Sequence, residues 1–133
     1  MDGQLLSTYQ EGDPANGASS ASLMDEPGSV IVHGNLEIRP DEIQVIADGR
    51  RVGLTVREFQ VFLVLAERED RVVRRAEIYS HVWGGEMKRR DRSVDVFVRK
   101  LRTKLARAAP EWDYIHTHFG VGYRFAAVPP GHA

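Results

Sequence analysis

The chain has 133 residues, a length that favours one compact domain with one hydrophobic core. Hydrophobic residues make up 42% of it, and no apolar run approaches the ~20 residues of a membrane-spanning helix. Cysteine is absent, which excludes a disulfide framework and a thiolate metal site, and the N-terminus lacks the layout of a signal peptide. These features indicate a soluble protein with a cytoplasmic location and no membrane partner.

The net charge of −1 hides two segments of opposite sign. Residues 1–28 contain five acidic residues and no basic one, whereas nine basic and two acidic residues lie between Lys88 and Arg107. A basic stretch of this kind is typical of a surface that contacts phosphates. Taken alone, it is equally consistent with a solvated helix face.

Residues 1–28 are also rich in Gly, Ser and Ala and have few large apolar side chains. Such a segment buries too little apolar surface to offset the entropy lost on ordering. We therefore predict a disordered acidic tail over residues 1–28, a folded domain over residues 29–128, and a short C-terminal tail over residues 129–133.

Short apolar or alternating runs separated by turn residues begin at Val30 and predict an antiparallel meander of four strands. The strongest hairpin signal in the chain is the Asp48-Gly49 pair, which favours a tight two-residue turn. The predicted strands cover residues 30–32, 36–38, 43–46 and 51–54.

Three helices follow the meander. Thr55 and Glu58 form a capping-box signature that predicts a largely buried helix from residue 56 to about Glu69. After an extended link over residues 71–73, a second helix is predicted over residues 76–83, where Gly84-Gly85 ends it.

The third helix is predicted from about Arg92 to Ala108, with Asp91 or Ser93 available as its cap. At ~100° per residue, one face is apolar and predicts a contact with the core. The opposite face places a valine among basic side chains, which suits the major groove of DNA because thymine methyl groups accept apolar contact. The apolar face consists of Val94, Val98, Leu101, Leu105 and Ala108, and the basic face of Arg92, Val96, Arg99, Lys100 and Thr103.

After Pro110, alternation over residues 114–118 and 122–126 predicts a C-terminal hairpin. His116 and His118 share one face of a strand, but no Cys or acidic cluster completes a metal site around them, so we expect none. Asp95 is best interpreted as part of a structural ion pair. Motifs of nucleophilic catalysis and phosphate-binding loops are absent from the sequence, so we expect neither an enzyme nor a cofactor.

Several motifs in order resemble the OmpR/PhoB-type effector domain of two-component response regulators, and the resemblance covers roughly residues 30–127. It implies an α+β winged helix-turn-helix with an N-terminal four-stranded antiparallel sheet, a three-helix core and a C-terminal β-hairpin wing. It also implies that the third helix enters the major groove and the wing reaches the minor groove. The motifs lie at residues 54–59, 82–84, 92–96 and 101–105, at Thr117, and at residues 120–125.

The resemblance also assigns residue roles. Val96 and Lys100 would face bases, and Thr117 would contact the DNA backbone near the wing. Arg92, Arg99 and Arg102 would hold phosphates. The face assigned from helical periodicity agrees for all of these except Arg102 and Thr117, and we add Ser93 and Thr103 to the DNA-binding set.

Three positions depart from the pattern of the family. Phe119 stands where the wing often carries an arginine, and it either inserts as an apolar wedge or packs on the wing. Phe97 replaces a commonly polar residue and either contacts a thymine methyl or completes the core. Arg74 takes the usual place of a capping Ser or Thr, which weakens the cap of the second helix. A contact between Arg74 and a DNA phosphate is an equal alternative to no contact.

The loop between the second and third helices often contacts RNA polymerase in this family, and here it is unusually basic. Its partner is expected to be DNA phosphate or an acidic protein surface, with a merely solvated loop as the alternative. The partner loop comprises Gly85, Glu86, Met87, Lys88, Arg89 and Arg90.

The expected function is sequence-specific binding of double-stranded DNA by a transcription regulator. The alternative is a protein-interaction module that contacts RNA polymerase and binds DNA secondarily. The resemblance implies a protein that is monomeric in solution and binds direct repeats as a tandem pair. The 28 residues before the domain cannot form a receiver domain, so the chain is either a stand-alone effector or a piece of a longer protein. The acidic tail would compete with DNA for the basic face.

Overall fold

The computed structural model of this chain describes residues 29–131. The chain divides into two units, Met1–Val30 and Ile31–Ala133, and the elements below belong to the second. The predicted disordered tail over residues 1–28 lies outside the described residues, as do the last two positions of the predicted C-terminal tail.

The N-terminal sheet is a four-stranded antiparallel meander, as the sequence predicted. It consists of β1 (Ile31–His33), β2 (Leu36–Arg39), β3 (Gln44–Ala47) and β4 (Arg50–Val52), in the spatial order β1-β2-β3-β4. Asp48 and Gly49, which join β3 to β4, have φ values of 54° and 77°, as the predicted tight turn requires. One face of the sheet is apolar and buried through Leu36, Ile38, Val45, Ala47 and Val52.

Three helices follow, namely α1 (Val56–Ala66), α2 (Arg75–Val82) and α3 (Ser93–Ala108). The capping box at the start of α1 is confirmed. The Glu58 amide donates to Thr55 Oγ1 at 3.2 Å, and the Thr55 amide donates to Glu58 Oε1 at 2.8 Å. The first helix ends three residues before the predicted Glu69, because the chain enters a turn in which Asp70 has a φ of 67°.

The second sheet has three strands rather than the two that the sequence analysis predicted. The hairpin of β6 (Asp113–His118) and β7 (Gly122–Val128) is present, and β5 (Val72–Arg74) pairs antiparallel with the outer side of β7. The extended link over residues 71–73 is therefore a strand. Three residues are too few for alternation to distinguish a strand from a linker, so only the pairing identifies it.

The core lies between the two sheets and the helices. The predicted core face of α3 is confirmed, since Val94, Val98, Leu101 and Leu105 are at most 3% exposed and Ala108 is also buried. In the centre, the rings of Phe62 in α1 and Phe125 in β7 meet edge to face with centroids 5.6 Å apart. One end of α1 differs from the prediction, because Val56 is 55% exposed.

A buried carboxylate joins α1 to α3. The Lys104 ammonium donates to Glu58 Oε1 at 2.7 Å, and the Glu58 side chain is 3% exposed. Burial raises the pKa of Glu58, but hydrogen bonds from Lys104 and Thr55 outweigh it and hold the pKa below its ordinary value. The glutamate of the α1 capping box thus also anchors α3.

The Lys104→Met variant is expected to lower the free energy of unfolding by ~1–3 kcal/mol at neutral pH, because it leaves the Glu58 carboxylate buried without its cation. A depressed folded-state pKa contributes stability above the ordinary carboxyl pKa and loses it as pH falls through the folded value. The difference from the wild type should therefore shrink in acid. Chemical denaturation across pH, with the exposed Lys88→Met as control, measures this. An equal loss at neutral and acid pH would contradict it.

Gly122 lies opposite Arg74 where β7 pairs with β5, and a Cβ atom there would stand 2.0 Å from the Val73 carbonyl oxygen. Gly122→Ala should therefore destabilise the domain by at least ~1–3 kcal/mol, because backbone atoms would have to move. Gly53 is the matched control, since no atom lies within 4 Å of its Cβ position and its backbone needs no positive φ. Thermal unfolding of the two alanine variants compares them. Equal melting temperatures would show that the β5–β7 pair tolerates a side chain at this position.

Candidate nucleic-acid interface

The exposed face of α3 carries the side chains that the sequence assigned to it. Arg92, Arg99, Lys100 and Thr103 are exposed, and Val96 is 37% exposed in their midst. Because the opposite face of the same helix is buried in the core, the orientation of this basic face is fixed.

At the start of α3, the N-cap residue is Arg92, whose side chain makes no capping hydrogen bond. Of the two predicted caps, Asp91 supplies the acceptor: its Oδ1 receives the Ser93 amide at 2.7 Å. Hydrogen bonds from the Ser93 side chain and from its amide hold the pKa of Asp91 below its ordinary value. Ser93 itself is half-buried in the first turn.

The tip of the β6–β7 wing presents an aromatic ring to solvent. The Val121 amide donates to the His118 carbonyl at 2.9 Å, and Gly120 has a φ of 77°, so the turn is tight. Phe119 within this turn is 90% exposed, and Val121 beside it is 41% exposed. So large an exposure argues against packing of Phe119 on the wing.

Arg102 connects α3 to the wing. Its Nη2 donates to the Ile115 carbonyl at 3.0 Å and to Thr117 Oγ1 at 2.6 Å, and its guanidinium lies 5.7 Å from the centroid of the Tyr123 ring. Arg102 and Thr117, the two residues that helical periodicity did not place on the basic face, therefore contact each other.

A second polar junction lies at Asp95. Its Oδ1 accepts from Arg75 Nε at 2.7 Å and from the Tyr123 hydroxyl, and Arg92 Nη1 lies 3.8 Å from Oδ2. Burial raises the pKa of Asp95, but the hydrogen bonds from Tyr123 and Arg75 outweigh it and hold the pKa below its ordinary value. The prediction of a structural ion pair is confirmed. Arg75 was not predicted as the partner, since it is 20 residues from Asp95 in the sequence.

A groove of about 700 Å³ lies between α3 and the wing. The carboxylate in its lining is that of Asp95, which is paired with Arg75, so the excess charge of the groove is positive. The lining consists of Arg75, Arg92, Asp95, Val96, Arg99, Arg102, Thr117, Phe119 and Tyr123. Residues of α3 and of the wing that were predicted to bind DNA thus lie together on one concave surface.

Phe97 lies beside this surface in an aromatic ladder between α2 and α3. Its ring meets Trp83 edge to face at 5.4 Å between centroids, and Trp83 stacks on Tyr79 at 5.2 Å. Lys100 Nζ lies 5.0 Å from the centroid of the Phe97 ring. These contacts favour the core alternative for Phe97 over a thymine contact.

Two further predicted contact regions are not part of the lining of the groove. Arg74 is the exposed N-cap residue of α2, makes no capping hydrogen bond, and pairs with no carboxylate among residues 29–131. In the loop before α3, the side chains of Glu86, Lys88, Arg89 and Arg90 are exposed along with Gly85, whereas Met87 is partly buried against the core. Met87 therefore holds the loop to the domain while its charged residues face solvent.

The two histidines of β6 have protein partners. His116 Nε2 lies 2.9 Å from the Ala126 carbonyl oxygen, and His118 Nε2 accepts from Arg124 Nε at 3.1 Å. Across residues 29–131, no group of three or more His, Cys, Asp or Glu side chains is placed to hold a metal ion. Within the same range, no helix has both the length and the apolar character needed to cross a membrane.

Comparison with known proteins identifies relatives of this architecture. A family model described as "Transcriptional regulatory protein, C terminal" matches residues 49–125. The transcriptional regulatory protein ResD of Bacillus subtilis (strain 168) is 39% identical over 98 residues, which are 73% of this chain and 41% of ResD. Among solved structures, the RstA DNA-binding domain of Klebsiella pneumoniae, in complex with the RstA box, has a TM-score of 0.67 and 34% identity, covering 74% of this chain and 97% of that one. The DNA-binding domain of CpxR from E. coli has a TM-score of 0.67 and 25% identity, covering 75% of this chain and 98% of that one.

The fold is an α+β winged helix-turn-helix, with α2 and α3 as the helix pair and the β6–β7 hairpin as the wing. The chain belongs to the family of transcriptional regulatory proteins that share the OmpR/PhoB-type C-terminal effector domain. This is a family of transcription regulators and not of enzymes. The chain spans about two fifths of the length of ResD.

A double-mutant cycle tests whether Arg102 positions the wing. Arg102→Met and Thr117→Val should each destabilise the domain, and together they should do so by less than the sum, with a coupling energy of ~0.5–1.5 kcal/mol, because they remove one shared hydrogen bond. Chemical denaturation of the wild type and the three variants gives the coupling. Additive losses would mean that Arg102 and Thr117 do not support each other.

Proposed function

We propose that this chain binds double-stranded DNA in a sequence-specific manner as a transcription regulator, with α3 in the major groove and the wing at the minor groove. The observation that carries the proposal is the exposed Val96 within the basic face of α3. The core already receives the opposite face of this helix, so packing does not require an apolar residue there. A base edge with a thymine methyl group gives that side chain a partner.

Within this proposal, Val96 and Lys100 lie one turn apart on the same side of α3 and read bases. Arg92 and Arg99 flank them and bind phosphates, which supply affinity without sequence information. Ser93, Thr103 and Arg74 border the same surface and contact the sugar-phosphate backbone. Arg102 and Thr117 reach the DNA together, since each holds the other in place.

The wing contributes an apolar contact. No arginine stands at its tip, and Phe119 has the largest exposed fraction among the large apolar residues described. We infer that Phe119 lies against sugars or between base edges of the minor groove, as apolar wedges do in other minor-groove proteins. Phe97 supports the base-reading face by holding Lys100 above its ring.

The loop before α3 favours a second partner. Lys88, Arg89 and Arg90 are exposed on a loop that Met87 anchors, so the loop presents positive charge to solvent. RNA polymerase is the partner that the family resemblance suggests, and an acidic surface on it would complement this loop. In the alternative function, polymerase binding is primary and DNA binding is secondary.

The remaining properties follow from the same proposal. A single domain has a small footprint, so high affinity requires a tandem pair on direct repeats, formed from a protein that is monomeric in solution and works in the cytoplasm. Because ResD is more than twice as long as the matched region, control by a receiver domain in a two-component phosphorelay is part of the proposal for the whole protein. The acidic segment over residues 1–28 would compete with DNA for the basic face.

Selection of bound sequences from random duplex DNA tests the proposal. The wild type should enrich one motif, as a tandem repeat. Lys100→Ala should lose ~1–3 kcal/mol of binding free energy on that motif and relax its base preference, because a base contact is removed. Arg99→Ala should weaken binding to all sequences alike, because a phosphate contact is removed. The control is Arg39→Ala on β2, since Arg39 is not part of the lining of the groove.

Equal losses on every sequence for both variants would contradict the assignment of Lys100 to bases. Weak binding without sequence preference, together with polymerase binding that survives Arg99→Ala and Lys100→Ala but is lost when Lys88, Arg89 and Arg90 become Ala, would establish the alternative function.

A further inference from the structure

Three arginines outside the interface described above line one cleft of the domain and form no salt bridge within residues 29–131. One of them, Arg50, also lines a separate cleft that contains Asp48 and Glu111. Arg50 and Arg51 stand on β4, and Arg107 stands in the last turn of α3. They line a shallow cleft of about 360 Å³ together with Lys104, and its lining contains no carboxylate. None of these three arginines pairs with a carboxylate anywhere in residues 29–131, whereas the charge of Lys104 is balanced by Glu58.

This cleft adjoins the basic face of α3. A neighbouring cleft of about 420 Å³ shares Lys104 and Arg107 with the first, and its lining also includes Thr55, Glu58, Arg99, Lys100 and Thr103. Its one carboxylate, Glu58, is paired with Lys104. The remaining cations, Arg99, Lys100 and Arg107, therefore link the predicted base-reading residues to the edge of the N-terminal sheet. We call Arg50, Arg51 and Arg107 the edge arginines.

The length of α3 indicates where these arginines would lie relative to a bound duplex. At ~1.5 Å per residue, Arg107 lies ~10 Å along the helix from Lys100, and the major groove is ~12 Å wide. A helix whose Lys100 reaches the base edges must therefore place its last turn close to the border of the groove. The sugar-phosphate backbone of the duplex forms that border, and Arg50 and Arg51 stand beside Arg107.

The positions of Arg50 and Arg51 also have an explanation that involves no ligand. The fourth strand forms an edge of its sheet, and charged side chains on edge strands prevent pairing with other chains. Protection of a strand edge does not explain Arg107, which lies on a helix. It also gives no reason for the three to share one cleft that joins the basic face.

We propose that the edge arginines form a second phosphate-binding site, which takes the sugar-phosphate backbone of the duplex next to the base pairs that α3 reads. This site rests on the proposed function and extends it, because it adds affinity and salt dependence without adding sequence preference.

The double variant R50Q/R51Q tests the site and leaves α3 intact. The matched control is R39Q/R71Q, which removes the same charge from arginines engaged with Glu37 and Glu77. Affinity is measured over a salt series on the selected duplex and on a scrambled one. For R50Q/R51Q the slope of log affinity against log salt should fall by about 1.8, at ~0.9 per lost phosphate contact, and affinity at low salt should fall about tenfold on both duplexes.

The single variant R107Q should lower the slope by about 0.9, and the control should leave it unchanged. Trimming the duplex to the base pairs that the selection defines should abolish the difference between the wild type and R50Q/R51Q. An unchanged slope for R50Q/R51Q, alongside a lowered slope for R99Q, would overturn the second site and leave these residues as edge protection. Absence of salt-dependent duplex binding by the wild type would instead overturn the proposed function itself.

Discussion

The burial of one side of α3 is the constraint on which the rest of the molecule depends. Val94, Val98, Leu101 and Leu105 are almost fully buried, and a buried aliphatic side chain contributes ~1.5–3 kcal/mol relative to exposure. Rotation of the helix by one residue would expose these side chains and bury arginines in their place. The energetics of the core therefore determine which side chains face outward, and the basic face around Val96 is a consequence of packing on the other side.

Polar contacts then hold the wing beside that face. Asp95 binds Arg75 of α2 and Tyr123 of β7, while Arg102 binds the backbone and Thr117 of β6. Two elements far apart in sequence are thereby presented as one concave surface. Arg102, which the family resemblance assigns to a phosphate, uses part of its hydrogen-bonding capacity inside the protein, so its removal alters the shape of the interface as well as its charge.

Local patterns made much of the fold and of the interface predictable. The capping box at Thr55, the turn at Asp48 and the two faces of α3 all depend on residues within a few positions of each other, which is the range over which periodicity and turn chemistry act. The strand β5 was missed because its identity depends on pairing with β7, about 50 residues away. The partnerships of Arg75 with Asp95 and of Lys104 with Glu58 were missed for the same reason. Phe97 stayed ambiguous because it lies at the boundary between the two faces of its helix.

Amide chemical-shift mapping of the whole chain, titrated with a duplex of about two helical turns, tests the central claim most directly. Perturbations concentrated at residues 92–103 and 117–121 are predicted, with a second, salt-sensitive group at residues 50, 51 and 107. Perturbations confined to residues 85–90, with the exposed face of α3 unaffected, would contradict the account, because the duplex would then bind the basic loop and not α3.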